Sequence, residues 1–347
     1  MTPERPLAVV TGGSGYFGSR LVARLRERGY AVRVFDLNDA DDRPADVEFQ
    51  RGDVRDPAAV RRALEGADAV FNNVAQVPLA KDKALFQSVN VLGTEHVLRA
   101  AKEAGVRKVV HTSSSAVYGA PKQNPVTETS PLAPGEPYGR AKADAEALCL
   151  RDAADGLDVT IVRPRTILGH GRLGIFHLLF QWVSEGSNIP VLGSGANRYQ
   201  FVHADDLAEA CVLAADRPGP TSYNIGTDRF GTMRGLLEAL CAHAGTGSKV
   251  RSVPMAPAVA AMRLTSAIGL SPLGPYHALM YGKSMYFDTS RAARELEWKP
   301  KYSNDEMMAE SYDWFLAHRS NTGHQARLSS HRAPVREGVL RVVRRFL

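Results

Sequence analysis

The chain has 347 residues, long for one layered domain and short for three, which predicts one large domain with a smaller lobe on its surface. With 44% hydrophobic and 23% charged residues it has the composition of an ordinary folded protein, which excludes a disordered chain, a collagen-like repeat and a disulfide scaffold. The net charge of +6 is modest and uneven: Arg332, Arg336, Arg341, Arg344 and Arg345 crowd the end, the rest is near neutral, and no nucleic-acid partner is expected.

The chain enters a strand pattern at 7–10, with no basic segment and long apolar stretch before it. No apolar run reaches the roughly 18 residues of a membrane-spanning helix. Apolar runs then recur at 8–10, 31–35, 69–71, 108–111 and 159–162, separated by helical spacing at 18–28, 57–64, 89–104 and 138–151. Strands alternating with helices imply right-handed crossovers and a parallel sheet covered on both faces, a doubly wound α/β domain.

After Gly169 the rhythm breaks into a glycine-rich turn, helical stretches at 175–184, 205–215 and 232–244, a strand-like 222–225 and a proline-punctuated segment at 254–275. The division expected is 1–170 for the main domain, with 201–226 returning to it, 171–320 for a substrate-facing lobe, and 321–347 for a basic tail. In that tail Val335, Val339, Val343 and Phe346 share one helical stripe. Two readings stand: an amphipathic helix on an anionic membrane surface or a partner, and a solvated tail, since about fourteen residues are marginal for an isolated helix. Cys149, Cys211 and Cys241 lie far apart in apolar helical patterns without CxxC spacing. They read as buried thiols of a reducing, cytoplasmic compartment rather than as ligands, and no metal is expected.

Directly after the first strand comes Thr11-Gly12-Gly13-Ser14-Gly15-Tyr16-Phe17-Gly18, then a helix. Glycines at 12, 15 and 18 allow a tight turn, close approach of a pyrophosphate, and contact of helix with strand, while the helix N-terminus presents amide donors. Strand, loop and helix follow in the order a dinucleotide-binding Rossmann unit needs. Asp36 ends the second strand eighteen residues beyond Gly18, where a carboxylate can accept from both adenosine ribose hydroxyls and repel a 2′-phosphate. The cofactor expected is therefore NAD. In Gly52-Asp53-Val54-Arg55-Asp56, after the third strand, a carboxylate could meet the adenine amino group.

The fifth strand leads into Thr112-Ser113-Ser114-Ser115-Ala116-Val117-Tyr118-Gly119, and a helix beginning near Tyr138 carries Tyr138-Gly139-Arg140-Ala141-Lys142. Spacing of i, i+4 puts the phenol and the ammonium on one helix face. A tyrosine with a pKa of about 10 is a poor base at neutral pH, but a nearby ammonium and an oxidised nicotinamide favour its phenolate. It could then accept a proton as hydride leaves the adjacent carbon, with a serine hydroxyl on the same substrate oxygen. Tyr118 and Lys122 share the spacing, but the Gly and Pro between them forbid a helix.

These residues resemble the extended short-chain dehydrogenases, the NAD-dependent epimerase/dehydratase family. The matching segments, in family order over about 7–318, are TGGSGYFG, Asp36, GDVRD, Asn90-Val91-Leu92-Gly93-Thr94, SSSAVYG, YGRAK, His203-Ala204-Asp205-Asp206-Leu207, Tyr223-Asn224-Ile225-Gly226 and a C-terminal stretch from Asp288 to Trp298. The resemblance implies a catalytic trio of Ser114, Tyr138 and Lys142. It implies cofactor contacts from Gly12, Gly15, Tyr16, Phe17, Gly18, Asp36, Asp53, Val54, Ala75, Asn90, Lys142 and Pro164, with the Tyr16 and Phe17 amides over the pyrophosphate. It places Arg198 near a substrate diphosphate and implies a homodimer. Ser115 and Ala116 stand where 4,6-dehydratases carry Asp-Glu, so dehydration is not expected. Thr166 replaces a common Asn, and only Lys283 stands where many relatives have a second phosphate-binding Arg.

The function expected is that of an NAD-dependent nucleotide-sugar 4-epimerase. The alternative is a 3β-hydroxysteroid or sterol-type dehydrogenase, to which the apolar residues Met255, Val259, Met262, Leu264, Ile268 and Leu270 would lend a lipid-like substrate face, although a helix packed on the lobe explains them more simply. A non-enzymatic cofactor-binding regulator is disfavoured by the presence of both Tyr138 and Lys142.

Overall fold

The computed structural model describes residues 5–76, 83–171, 175–267, 280 and 282–319. The basic tail at 321–347 lies outside them. In chain order the strands are β1 (Leu7–Thr11), β2 (Ala31–Asp36), β3 (Glu48–Arg51), β4 (Ala69–Asn72), β5 (Lys108–Thr112), β6 (Val159–Pro164), β7 (Thr166–Leu168), β8 (Ile189–Leu192), β9 (Phe201–His203), β10 (Thr221–Ile225) and β11 (Val250–Val253). The helices are α1 (Tyr16–Glu27), α2 (Pro57–Leu64), a short α3 (Lys83–Leu85), α4 (Gly93–Glu103), α5 (Pro137–Ala154), α6 (Phe176–Ser184), α7 (Ala204–Asp216), α8 (Met233–Ala244) and α9 (Met255–Ala267), followed by helices at Ser290–Glu295 and Asn304–His318.

Seven strands form one parallel sheet in the order β3-β2-β1-β4-β5-β6-β10. The strand order reverses beside β1, because the chain runs outward through β2 and β3 and then returns to lay β4 on the other flank. That reversal opens a crevice at the carboxyl ends of β1 and β4, where doubly wound sheets bind ligands. Parallel strands buried on both faces read as continuous apolar runs, and β4 and β5 are buried along their whole length.

One face of the sheet packs on α1 and α7 through Leu21, Leu25, Leu207 and Cys211. The other packs on α2, α4 and α5 through Val60, Leu64, Val97, Leu98 and Cys149. Each such side chain, fully buried, contributes about 1.5–3 kcal/mol. All three cysteines are buried and unbridged.

β10 joins the main sheet beside β6, whereas β9 pairs with β7 and β11 with β8 in two small parallel ladders. A third core ties these to α6, α8 and the helix Asn304–His318 through Phe180, Val191, Leu236 and Phe315. Residues 255–267 of the apolar segment form helix α9, on which Met255 and Leu264 are exposed; Ile268 and Leu270 lie outside the described residues. Among the described residues no helix is long and apolar enough to cross a membrane.

Candidate active site

The glycine loop closes the crevice floor. Gly12 turns at φ 69°, and a Cβ on Gly18 would lie 2.1 Å from the Gly12 carbonyl oxygen, so α1 can pack this close to the loop only with glycine there. Gly15 caps α1 with no side chain to take up the first amides of the helix. Tyr16 and Phe17 are buried, and the Tyr16 hydroxyl donates to the Gly169 carbonyl at 3.2 Å. The Ser14 hydroxyl is buried within the loop with no hydrogen-bond partner among the described residues. An orphaned donor beside a helix N-terminus suits a pyrophosphate.

Asp36 sits at the end of β2, where its carboxylate accepts from Ser14 N at 3.2 Å and from Asn38 N at 3.4 Å. Burial raises its pKa above the usual carboxylate value, opposed by those amides. The Asp53 carboxylate is engaged by Arg55, whose guanidinium holds its pKa down. Val54 is buried under α4, where its carbonyl faces His96 Nδ1 at 3.0 Å. Asn90 lies in a π-helical turn, Phe86–Leu92, and grips the Gln76 backbone through both its amide and its carbonyl oxygen. It thereby fixes the chain that follows β4, in which Ala75 is half-buried.

Ser114 follows β5 and caps the 3-10 turn Ser115–Tyr118, its Oγ accepting from Ala116 N at 3.2 Å. Its own proton remains available to an oxygen in the crevice. Helix α5 starts at Pro137, and the Glu136 carboxylate caps it by accepting from Tyr138 N at 2.8 Å and Gly139 N at 2.6 Å. A Cβ on Gly139 would lie 2.5 Å from the Ala116 carbonyl oxygen, so this glycine lets α5 seat directly against the Ser114 turn. Tyr138 packs there with Phe86, Ala116 and Ala141 and is 9% exposed.

One turn on, Lys142 is 2% exposed and donates to the Thr112 carbonyl, two residues before Ser114, at 2.7 Å. Burial lowers its pKa to about 8, against the pull of Cys149 and Glu146. His111 is also buried; burial and Lys142 push its pKa well below the ordinary value. Ser114 thus stands just past β5, and Tyr138 and Lys142 stand one turn apart near the start of α5. The second tyrosine of matching spacing is committed elsewhere, since the Tyr118 hydroxyl donates to Asn224 Oδ1 at 2.9 Å and accepts from Arg163 at 2.7 Å.

Pro164 ends β6, buried and paired with Ile225 of β10. Arg198 is exposed, its guanidinium 4.8 Å from the Phe230 ring centroid and 4.5 Å from that of Tyr286. Sequence reasoning missed two groups here. Glu136 is an unusual cap residue, so nothing in its type announced the role. Arg165 was visible only as a neighbour of Thr166; it is 1% exposed and donates to Ser115 Oγ at 2.8 Å, beside Ser114.

Close to the glycine loop, His170, His203 and Asp205 bring ligand-type atoms within 4.8 Å of one another. His203 Nδ1 accepts from Asp205 N at 3.1 Å, which leaves Nε2 to donate to Glu310 at 2.8 Å. His170 meets the same carboxylate at 2.8 Å, and the His203 ring stacks on Tyr302 at 3.8 Å. The cluster pins the helix Asn304–His318 to β9.

The profile of the NAD dependent epimerase/dehydratase family matches residues 8–226, from β1 past β10. The uncharacterized protein y4nG of Sinorhizobium fredii is 54% identical over 334 residues, covering 96% of this chain and 84% of its own. Sterol demethylase protein B of Methylococcus capsulatus is 40% identical, covering 88% of this chain and 97% of its own. The UDP-glucose 4-epimerase of Thermus thermophilus, solved as a complex with NAD, superposes with a TM-score of 0.73 at 26% identity, over 89% of this chain and 99% of that one. A seven-stranded parallel sheet, the glycine loop at its switch point with Asp36 on the next strand, and a matched profile over most of the chain agree: this protein is an enzyme of the NAD dependent epimerase/dehydratase family.

Proposed function

We propose that the enzyme reversibly oxidises a secondary alcohol at the crevice lined by Ser114, Tyr138 and Lys142, and that it acts as a nucleotide-sugar 4-epimerase. The observation that carries this reading is the buried Lys142 ammonium, held one helical turn from Tyr138 and bonded to the end of β5 beside Ser114. An ammonium one turn away on the same helix is the kind of charge that a proton-accepting phenol needs. Tyr138 takes the proton of the substrate hydroxyl, and the Ser114 hydroxyl, held at the turn, orients the same oxygen. NAD, when bound, supplies a hydride acceptor that can also give the hydride back. It fits the chain's own features: the buried Ser14 hydroxyl and the N-terminus of α1 for its pyrophosphate, and Asp36 for a ribose.

Arg198 is the cation we assign to the substrate diphosphate, with Phe230 and Tyr286 beside it as faces for a base. The experiment is incubation of the purified protein with UDP-, GDP-, CDP- and dTDP-sugars, with product epimers read by chromatography and absorbance followed at 340 nm. Interconversion of epimers without stoichiometric NADH supports the proposal; stoichiometric NADH defeats it.

A second reading, net dehydrogenation of a lipid-like alcohol, draws on the 40% identity to sterol demethylase protein B and on the exposed Met255 and Leu264 of α9. Oxidation of a 3β-hydroxysteroid with NADH release, and no epimer formed from any nucleotide sugar, would select it.

A further inference from the structure

Arg163 and Arg165 stand two residues apart where β6 leaves the sheet, on the same side of the extended chain. Their surroundings differ. Arg163 makes a two-pronged contact with the Glu146 carboxylate, at 2.9 and 2.7 Å. Arg165 is as deeply buried, yet among the described residues no acidic side chain pairs with it. One of its nitrogens, Nη1, donates to Ser115 Oγ and contacts the Met285 sulfur at 3.4 Å. Among the described residues Nε and Nη2 have no hydrogen-bond partner. The rest of its environment is aromatic, with ring centroids of Tyr199 at 4.8 Å and Phe287 at 5.7 Å.

A guanidinium with two unmet donors and no counter-ion is costly to bury, and ring faces offset only part of that cost. Nε and Nη2 form the edge that matches a carboxylate in the paired, fork-to-fork arrangement. Ser115 fixes the distance from the chemistry, because it follows Ser114 directly and is held by the same guanidinium. We infer that Arg165 anchors a carboxylate of the substrate, carried close to the carbinol that is oxidised, so that the enzyme acts on a hydroxy acid. This rests on the proposed reaction site but not on the choice of nucleotide sugar over lipid-like alcohol. Tyr199 is the half-buried member of the cage, its hydroxyl 2.9 Å from Thr166 Oγ1, and its ring must shift for the anion to enter.

The test uses the NAD-loaded full chain and two matched pairs: UDP-glucuronic acid against UDP-glucose, and a 3β-hydroxysteroid-4-carboxylate against its methyl ester. Binding is measured by calorimetry and thermal shift for the wild type, Arg165→Met and Arg165→Lys, with UDP alone as a further probe. One acid should bind at least ~10-fold tighter than its neutral partner, the ratio should fall to about 1 in Arg165→Met, and Arg165→Lys should keep part of it.

Equal binding of acid and neutral partner in both pairs overturns the inference. So does a ratio unchanged in Arg165→Met, whatever that variant does to melting temperature, since a merely structural arginine would weaken both partners alike. A loss of UDP affinity in Arg165→Met as large as the loss for UDP-glucuronic acid assigns the anchor to the diphosphate instead. Oxidation of a neutral partner at 340 nm, with no preference for the acid, would leave the reaction site standing while the carboxylate anchor fails.

Discussion

Lys142 gives its ammonium to the main-chain carbonyl of Thr112 at 2.7 Å, joining the first turns of α5 to the end of β5. This is an expensive place for a charge. Burial lowers its pKa to about 8, below the value of about 10.4 expected in an unfolded chain. The unfolded chain therefore binds this proton more readily between those two values, and folding stability rises with pH across that window. Below it the cost is present in full.

Lys142→Met should accordingly stabilise the cofactor-free protein at pH 7 by about 1–3 kcal/mol, the lost Thr112 bond offsetting part of the gain. The gain should shrink as pH rises from 8 toward 10.5. Thermal denaturation at a series of pH values measures it, and a gain independent of pH would refute the argument. Turnover of the same variant should be lost.

Tyr138→Phe removes one oxygen from a residue whose ring packs on Phe86, Ala116 and Ala141. The fold and bound NAD should survive, while turnover drops by about 10²–10⁴-fold, the worth of a positioned acid–base group. Ser114→Ala should cost less, since it removes an orienting hydrogen bond rather than the proton acceptor. Cofactor content by absorbance and turnover on any accepted substrate are the two readouts; full turnover in Tyr138→Phe would discard the proposed trio.

Asp36, which we propose meets the adenosine ribose, holds Ser14 N of the glycine loop at 3.2 Å. Asp36→Ala should weaken NADH binding by about 10-fold or more and narrow the preference over NADPH, because a repelling carboxylate is gone. Since burial raises the Asp36 pKa, NAD affinity of the wild type should fall on acidification sooner than an exposed carboxylate would dictate. Fluorescence titration with both dinucleotides decides this; unaltered discrimination in the variant would mean that another group reads the 2′ position.

The sheet, the glycine loop and the placement of Tyr138 and Lys142 one turn apart on α5 were legible because each depends on residues close in sequence: apolar runs for strands, a strand–loop–helix order, a spacing of four. The Tyr118 decoy was separable for the same local reason. Arg165 was not legible, because its importance lies in what is missing around it: a carboxylate serves Arg163 two residues earlier and, among the described residues, none serves Arg165. Asn90 matched a motif, but its work, gripping Gln76 across a π-helical turn, is tertiary. The same holds for Glu310, which joins His170 and His203 from a helix more than a hundred residues away.

Behind the Ser114 turn, the Arg163–Glu146 pair is buried, with Glu146 also accepting from Ser113 Oγ and Arg163 also donating to the Tyr118 hydroxyl. Removing one member strands the other. Arg163→Met should therefore cost about 3–5 kcal/mol, whereas the double change Arg163→Met with Glu146→Leu, which leaves no uncompensated charge, should cost less than the single one. Urea denaturation of the two singles and the double gives the coupling energy. Glu146 lies one turn beyond Lys142 on α5, and Ser113 directly precedes Ser114, so the double variant also separates two roles of the pair. If it folds as the wild type does yet loses turnover, the pair holds the Ser114 turn against α5 rather than merely filling the interior; if stability and turnover are both restored, its contribution is to packing alone.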